Sequence, residues 1–238
     1  MTLDERILDN PAWAALNGPQ RSLAAVRGQA RRYPADVSPF VGVPLLPDDA
    51  VWADLLALVG PGASVVMIGN GVAVPDGWTV EFRGDGVQLV ATDRFQTAPY
   101  GDAVVLGDED AEEMLDLTAR TKPGPFLPRT HVLGTYLGVR RDGRLVAMAG
   151  ERLRPPGFTE ISAVCTDPEF RGQGLGTRLV QAVGHQIRAR GETPMMHAAA
   201  TNDNAIRLYR SLGFEIRREV SFFAARAPLA EASGPSVE

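Results

Sequence analysis

The feature that most constrains the fold is a glycine-rich stretch, "RGQGLG" from Arg171 to Gly176, that separates a predicted strand from a predicted helix. The strand is "TEISAVCT", and the helix "LGTRLVQAVGHQIRARG" has its apolar residues at helical spacing. Glycines at a helix N-terminus leave backbone N–H groups unpaired and place no β-carbon in the path of an approaching anion. The stretch therefore predicts an anion-binding loop within an α/β fold.

The segments around this loop alternate between strand and helix patterns. From about residue 101 the order is strand, helix, loop, hairpin, strand, helix, strand, helix, strand. Asp142-Gly143 is a strong signal for a two-residue hairpin turn, and Gly213 is a typical helix stop. This order predicts a mixed central sheet flanked by helices, in a unit of ordinary domain size.

The first part of the chain carries no catalytic motif. It has its own apolar residues and predicts a helix, a strand and then two short strands in "GWTVEFRGDGVQLVAT". We expect an N-terminal α/β half over residues 1–98, of unknown role, and a main domain over 99–226. Small and polar residues without a period predict a flexible tail over 227–238.

Composition excludes several classes of protein. The chain of 238 residues is 45% hydrophobic and 22% charged, as in ordinary globular proteins, and its net charge of -5 disfavours nucleic-acid binding through a basic surface. A single cysteine, Cys165, allows no internal disulfide and no cysteine-rich zinc site. The acidic start and the lack of a long apolar run predict a cytoplasmic protein without a membrane partner.

Three kinds of phosphate-binding loop are compatible with glycines at this position. A Walker loop needs a lysine before Thr177, where the chain has Gly176. A dinucleotide fingerprint needs G-x-G-x-x-G, whereas Gly172, Gly174 and Gly176 are two residues apart. The third kind, Arg-x-x-Gly-x-Gly between a strand and a helix, matches the stretch.

That third pattern resembles the coenzyme A signature of the GCN5-related N-acetyltransferases, including its lead-in Asp167-Pro168-Glu169-Phe170. Downstream, "TNDNAIRLYRSLGFE" resembles the second signature of the same family. The two motifs lie in the family's order, and the resemblance covers roughly residues 100–225. The run from Thr130 to Pro168 is most similar to the FR47-like branch.

The resemblance implies an enzyme that transfers an acetyl or other short acyl group from acetyl-CoA to a primary amine by direct attack in a ternary complex, without a metal. Backbone groups of Val164, Cys165 and Thr166 would pair with the pantetheine arm. Asn202 would contact the pantetheine, and Tyr209 would protonate the departing thiolate. The pyrophosphate would be held by Arg171, Gly172, Gln173, Gly174, Leu175, Gly176 and Thr177.

The resemblance also implies a class of acceptor and leaves the oligomeric state open. A small-molecule amine is the expected acceptor, and the oligomeric state is not indicated. By analogy with relatives that contain tandem units, residues 1–98 are expected to be a degenerate second copy of the fold. A non-catalytic module that binds or senses acyl-CoA is the alternative function, although the presence of Tyr209 favours an enzyme.

The family offers no fixed residue for the general base. Strand alternation predicts that Glu160, Ser162, Val164 and Thr166 share one face of their strand, which makes Glu160 one candidate. Glu151, near the end of the preceding strand, is the other.

Overall fold

The computed structural model describes residues 4–70 and 72–229. Its α-helices are α1 (Pro11–Asn17), α2 (Asp49–Val59), α3 (Ala111–Thr121), α4 (Leu175–Ala189) and α5 (Asp203–Leu212). Its strands are β1 (Ala25–Arg27), β2 (Ala30–Arg32), β3 (Val41–Gly42), β4 (Ser64–Ile68), β5 (Thr79–Ala91), β6 (Ala103–Leu106), β7 (Tyr136–Arg141), β8 (Arg144–Glu151), β9 (Phe158–Thr166), β10 (Thr193–Ala199) and β11 (Phe214–Arg226).

One mixed sheet of eight strands forms the centre of the molecule. Its order is β4-β11-β5-β10-β9-β8-β7-β6, and β1, β2 and β3 form a small separate sheet. Within the large sheet β9 and β10 run parallel, and the other neighbours run antiparallel. Helices α4 and α5 contribute to an apolar core on one face, and α3 covers the other face of β7, β8 and β9. The predicted mixed sheet flanked by helices is confirmed.

The large sheet continues across the boundary predicted at residue 98. That boundary lies in the loop between β5 and β6, yet β5 is the strand that separates β10 from β11. Residues before 98 therefore supply an inner strand of the sheet, β5, and its edge strand, β4. Because β10 and β11 both pair with β5, these two strands lack a direct pairing with each other.

The prediction of two short strands in the segment "GWTVEFRGDGVQLVAT" is wrong. The structure has one strand of 13 residues, β5, which pairs with β11 from Thr79 to Ala91. Gly86 lies inside this strand. A β-carbon there would stand 2.4 Å from Phe222 and 2.8 Å from the Ala198 carbonyl oxygen. The glycine thus permits close packing within a strand and does not mark a turn.

Local signals in the second half of the chain are confirmed. Asp142 and Gly143 join β7 to β8, and both have positive φ, 51° and 79°, as a type I′ hairpin turn requires. Gly213 ends α5 with φ of 104° in the left-handed region. Helix α4 buries an apolar stripe that includes Leu179 and Val183 against the sheet.

The predicted tail begins at a residue that is anchored to the sheet. Ala227 is buried, and its N–H donates to the Ala63 carbonyl at 2.8 Å. The rest of the predicted tail, residues 230–238, lies outside the described residues. In the portion of the chain that the structure covers, every helix is too short or too polar to cross a lipid bilayer.

Candidate functional site

Strands β9 and β10 diverge in the middle of the large sheet. They pair only at Phe158 to Glu160 of β9 and Thr193 to Met195 of β10. Beyond this point β9 stays with β8 as far as Thr166, while β10 stays with β5 as far as Ala199. The divergence leaves a wedge-shaped opening between residues 161–166 and residues 196–199, here called the cleft. Its narrow end lies at the pair Glu160 and Met195.

A β-bulge in β9 lies beside the cleft. Ser162 pairs with Gly150 and Cys165 pairs with Met148, so β9 has one more residue than β8 over this interval. Ala163, within the interval, has φ of 51°, a conformation that alanine rarely adopts. Such a bulge bends the strand and re-aims the side chains that follow it.

The bulge corrects one prediction from strand alternation. Cys165 lies on the α3 face of the sheet, in the apolar cluster that contains Met148. Val164 and Thr166 point the other way, toward α4, where they lie 3.9 Å and 3.7 Å from the position of a β-carbon on Gly176. Glu160 and Ser162 therefore do not share a face with Val164 and Thr166, because the extra residue reverses the alternation.

The glycine loop is open to solvent at the start of α4. Gly172 and Gly174 have φ of 79° and 73°, and a β-carbon on either would meet no atom within 4 Å. Arg178 is the first residue of the helix whose N–H finds a carbonyl, that of Gly174 at 3.1 Å. The preceding N–H groups and the positive end of the helix dipole are available to a negatively charged group. The predicted pyrophosphate contacts at Arg171, Gly172, Gln173, Gly174, Leu175, Gly176 and Thr177 all lie in this loop and the first helical turn.

The lead-in to the loop is fixed to helix α3. The Asp167 carboxylate accepts a hydrogen bond from the Glu169 N–H at 3.0 Å and forms an ion pair with Arg120 near the end of α3. These hydrogen bonds hold the pKa of Asp167 below its usual range. Arg171 also donates to the Thr166 carbonyl at 3.3 Å. The loop is therefore held against the end of β9. Nothing in the sequence indicated that Arg120 would take part.

Two predicted residues lie on the other side of the cleft, on and before α5. Asn202 caps α5, because its side-chain oxygen accepts from the Ala205 N–H at 3.1 Å. Tyr209 is buried among the apolar residues of the α4 face, with its ring 6.4 Å from that of Phe214. Burial raises the pKa of Tyr209 to about 12, with a smaller contribution from Cys165. Its hydroxyl is therefore protonated at neutral pH and can act as a proton donor.

Glu160 lies at the narrow end of the cleft, but its carboxylate is fully engaged. Its side chain is 1% exposed and accepts hydrogen bonds from Arg152 at 2.9 Å and 2.6 Å, while His197 Nδ1 lies 2.7 Å away. Burial by itself would raise the pKa of Glu160, but Arg152 and His197 outweigh it and hold the pKa far below its usual range. A carboxylate in this state is a weak proton acceptor.

A polar chain extends from Glu160 toward the first part of the sequence. His197 Nε2 lies 3.0 Å from the side-chain nitrogen of Gln88, which also donates to the Leu8 carbonyl at 2.9 Å. Arg217 donates to the Gln88 side-chain oxygen at 2.9 Å. No sequence motif indicates this chain, because its hydrogen-bonded partners are up to 129 positions apart.

Glu151 lies away from the glycine loop. It pairs across the sheet with Ile161, and its carboxylate accepts from Arg190 at 2.9 Å. Arg190 caps the C-terminal end of α4, whose 15 residues place that end about 22 Å from the loop at the N-terminal end. Burial raises the pKa of Glu151, and Arg190 opposes the shift. The structure therefore separates Glu151 from the glycine loop, although its cross-strand partner Ile161 follows Glu160 in β9.

Cys165 is a neutral, buried thiol. Burial raises its pKa to about 11, so it carries little thiolate at neutral pH and is a poor nucleophile. Within residues 4–70 and 72–229 the structure contains no group of three or more metal-ligating side chains.

The sequence and the fold of this chain are similar to those of known proteins. Residues 136–223, which span β7 to most of β11, match the family model described as FR47-like protein. A solved structure described as a putative acetyltransferase from the GNAT family of Novosphingobium aromaticivorans is 39% identical. The match covers 92% of this chain and 97% of that one, with a TM-score of 0.84. A GCN5-related N-acetyltransferase from Kribbella flavida, 23% identical with a TM-score of 0.61, covers 96% of each chain and shares the fold.

Curated relatives match over shorter stretches. Mycothiol acetyltransferase of Thermomonospora curvata is 34% identical over 145 residues, which is 60% of this chain and 46% of the relative. N-alpha-acetyltransferase RimI of Mycobacterium tuberculosis is 39% identical over 83 residues, 34% of this chain and 51% of the relative. The chain thus spans about half the length of these curated relatives. The extensive match to the Novosphingobium structure confirms the resemblance, and the chain belongs to the GCN5-related N-acetyltransferase superfamily, with residues 136–223 matching the FR47-like model.

Proposed function

We propose that the protein transfers an acetyl or other short acyl group from acetyl-CoA to a primary amine. The observation that carries this proposal is the cleft between β9 and β10, which opens directly beside an unobstructed glycine loop. A sheet edge next to a helix N-terminus supplies two kinds of contact that an acyl-CoA needs. Backbone groups along β9 pair with amides, and the loop binds phosphates.

Each predicted contact has a place in this proposal. The open edge of β9 at Val164, Cys165 and Thr166 offers backbone groups to the pantetheine arm, as an added strand would use them. The loop from Arg171 to Thr177 binds the pyrophosphate. The Asn202 side chain, at the start of α5, contacts the pantetheine from the opposite side of the cleft.

In the chemical step, the amine nitrogen attacks the thioester carbonyl carbon, so that a C–N bond forms and the C–S bond breaks. Tyr209 donates its proton to the departing sulfur, giving the free thiol, and regains a proton from solvent. The attacking nitrogen loses a proton to water. Neither Glu160 nor Glu151 is the base in this proposal, because Arg152 and His197 hold the Glu160 carboxylate and Glu151 lies at the opposite end of α4 from the glycine loop.

The acceptor is proposed to be a small-molecule amine. One relative is named mycothiol acetyltransferase. Residues before 98, among them Tyr33 and Phe40, pack in one apolar cluster with Phe158 of β9, two residues from Glu160. There, Tyr33 donates to the Gln20 side-chain oxygen at 2.6 Å, and Gln20 in turn donates to the Arg152 carbonyl at 2.7 Å. Specificity for the acceptor is proposed to lie in this first segment of the chain.

A non-catalytic module that binds acyl-CoA is the second candidate. The engagement of Glu160 by Arg152 and His197 favours it, because this carboxylate at the narrow end of the cleft is a weak proton acceptor. The two candidates share the loop and the cleft, and they differ in whether acyl transfer occurs.

The deciding experiment measures release of free thiol from acetyl-CoA in the presence of a panel of small amines and peptides with free N-termini. We expect at least one small amine to raise thiol release well above hydrolysis, with turnover on the order of 1–10 per second for a good substrate. Gly174→Val is the matched control, because a branched side chain at positive φ disrupts the loop. Binding of acetyl-CoA without thiol release across the whole panel would instead support the non-catalytic module.

A further inference from the structure

Tyr136 is a buried tyrosine that the proposed mechanism does not use. It lies at the start of β7 with 1% of its surface exposed, and its hydroxyl has no hydrogen-bond partner among the described residues. Tyr33, which is equally buried, does have one, since it donates to Gln20 at 2.6 Å. A buried hydroxyl without a partner costs stability, so a tyrosine at position 136 calls for a reason other than packing.

The ring of Tyr136 is directed toward β9, the strand that borders the cleft. Tyr136 pairs with Gly150 on β8, and Gly150 pairs with Ser162 on β9, so the three residues form one row across the sheet. A β-carbon on Gly150 would stand 2.3 to 2.5 Å from three atoms of the Tyr136 ring. The ring therefore lies across Gly150, in the space that any other residue would fill. A tyrosine in this position presents its hydroxyl to β9.

The charged groups that act on the Tyr136 hydroxyl also place it beside β9. Burial raises the pKa of Tyr136, Arg152 opposes the shift, and Glu160, Glu151 and Cys165 add to it. Glu160 and Cys165 lie on either side of Ser162 on β9, on the α3 face. The hydroxyl thus lies on the α3 face near β9, the strand that borders the cleft, and it keeps its proton and remains a hydrogen-bond donor.

Of the groups that take part in acyl transfer, only the acyl carbonyl oxygen can accept a hydrogen bond from the Tyr136 hydroxyl. An attacking amine directs its only lone pair at the carbonyl carbon, so it cannot accept a hydrogen bond there. The carbonyl oxygen of the acyl group has lone pairs and gains negative charge as the amine attacks. A fixed donor aimed at such an oxygen stabilises the transition state.

We propose that the Tyr136 hydroxyl donates a hydrogen bond to the acyl carbonyl oxygen of the substrate held in the cleft between β9 and β10. This assignment rests on the proposed function. It makes Tyr136 a substrate-contacting residue that distinguishes acyl-CoA from free CoA. Gly150 makes this contact possible because its lack of a side chain leaves room for the Tyr136 ring.

The test compares binding of acetyl-CoA and of free CoA by calorimetry, in wild type and in Tyr136→Phe. We expect the dissociation constant for CoA to stay within about twofold, and that for acetyl-CoA to rise about 5- to 10-fold, as for loss of one neutral hydrogen bond. The thermal midpoint of the unliganded variant should not fall, because an unpartnered polar atom has been removed. Tyr33→Phe is the matched control, which should lower the midpoint and leave the ratio of the two dissociation constants unchanged.

Other results are equally informative. If Tyr136→Phe leaves the ratio of the two dissociation constants unchanged, the assignment of Tyr136 is overturned and the proposed function stands. If wild type binds neither acetyl-CoA nor CoA, the proposed function fails, and the ligand assigned to Tyr136 fails with it.

Discussion

Replacing Glu160 by glutamine is expected to lower the free energy of unfolding by about 3–5 kcal/mol, the usual cost of breaking a buried ion pair. The substitution keeps the shape of the side chain but leaves Arg152, whose side chain is 10% exposed, without its counter-charge. His197 loses its ionised partner as well. Urea unfolding of both proteins at pH 7 measures the difference.

Glu151→Gln is the matched control for this experiment. Glu151 is also buried, but its partner Arg190 has a side chain that is 34% exposed and can turn toward water when the carboxylate is removed. We expect a loss of about 1 kcal/mol for this variant. Equal losses in the two variants would contradict the special role of the pair between Glu160 and Arg152.

The same pair gives the stability a definite pH dependence. The folded-state pKa of Glu160 is depressed below the ordinary value of 4.5. Its contribution to stability is therefore fully present above that value and is lost as the pH falls toward the folded-state pKa. The gap in unfolding free energy between wild type and Glu160→Gln should narrow as the pH drops from about 5 to about 3.

Replacing Tyr209 by phenylalanine is expected to lower kcat about 100-fold while leaving the affinity for CoA within about twofold. The hydroxyl, whose pKa burial raises to about 12, is protonated at neutral pH, and we propose that it donates this proton to the departing sulfur. Its removal takes away this proton donor and leaves the glycine loop intact. Steady-state kinetics with a responsive amine, together with calorimetry for CoA, separate the two effects.

A change confined to KM would contradict the role proposed for Tyr209, since a proton donor acts in the chemical step and not in binding. An unchanged kcat would contradict it as well, if acyl transfer limits the rate. The thermal midpoint of the variant checks that the core around Phe214 is preserved, because the two rings pack together.

Much of the second half of the fold follows from local sequence signals. The hairpin at Asp142-Gly143 and the helix end at Gly213 each depend on the backbone conformation of one or two residues, which their side chains indicate directly. The glycine loop was predicted for the same reason. Its open N–H groups result from where glycines fall relative to a helix start.

The remaining features depend on contacts between distant residues. The position of β5 between β10 and β11 is set by pairing across more than 100 residues, which no local pattern encodes. The bulge at Ala163 has no sequence signal, because an alanine gives no reason to expect positive φ. It reversed the alternation predicted for Val164 and Thr166. The ion pair that engages Glu160 is likewise invisible without the fold.

The role of the first part of the chain follows from the same topology. Because β4 and β5 belong to the large sheet, we propose that residues before and after 98 fold as one unit. Gln20 and Gln88 supply hydrogen bonds that tie this segment to β8 and β10.

The most direct test of the central claim is the thermal midpoint of the protein with millimolar acetyl-CoA, with millimolar CoA, and with NADH as a control. A ligand at about 100 times its dissociation constant stabilises the folded state by about 2.7 kcal/mol, which raises the midpoint by a few degrees. We predict such a rise with both CoA ligands and none with NADH. If neither CoA ligand shifts the midpoint, the cleft and the glycine loop are not an acyl-CoA site.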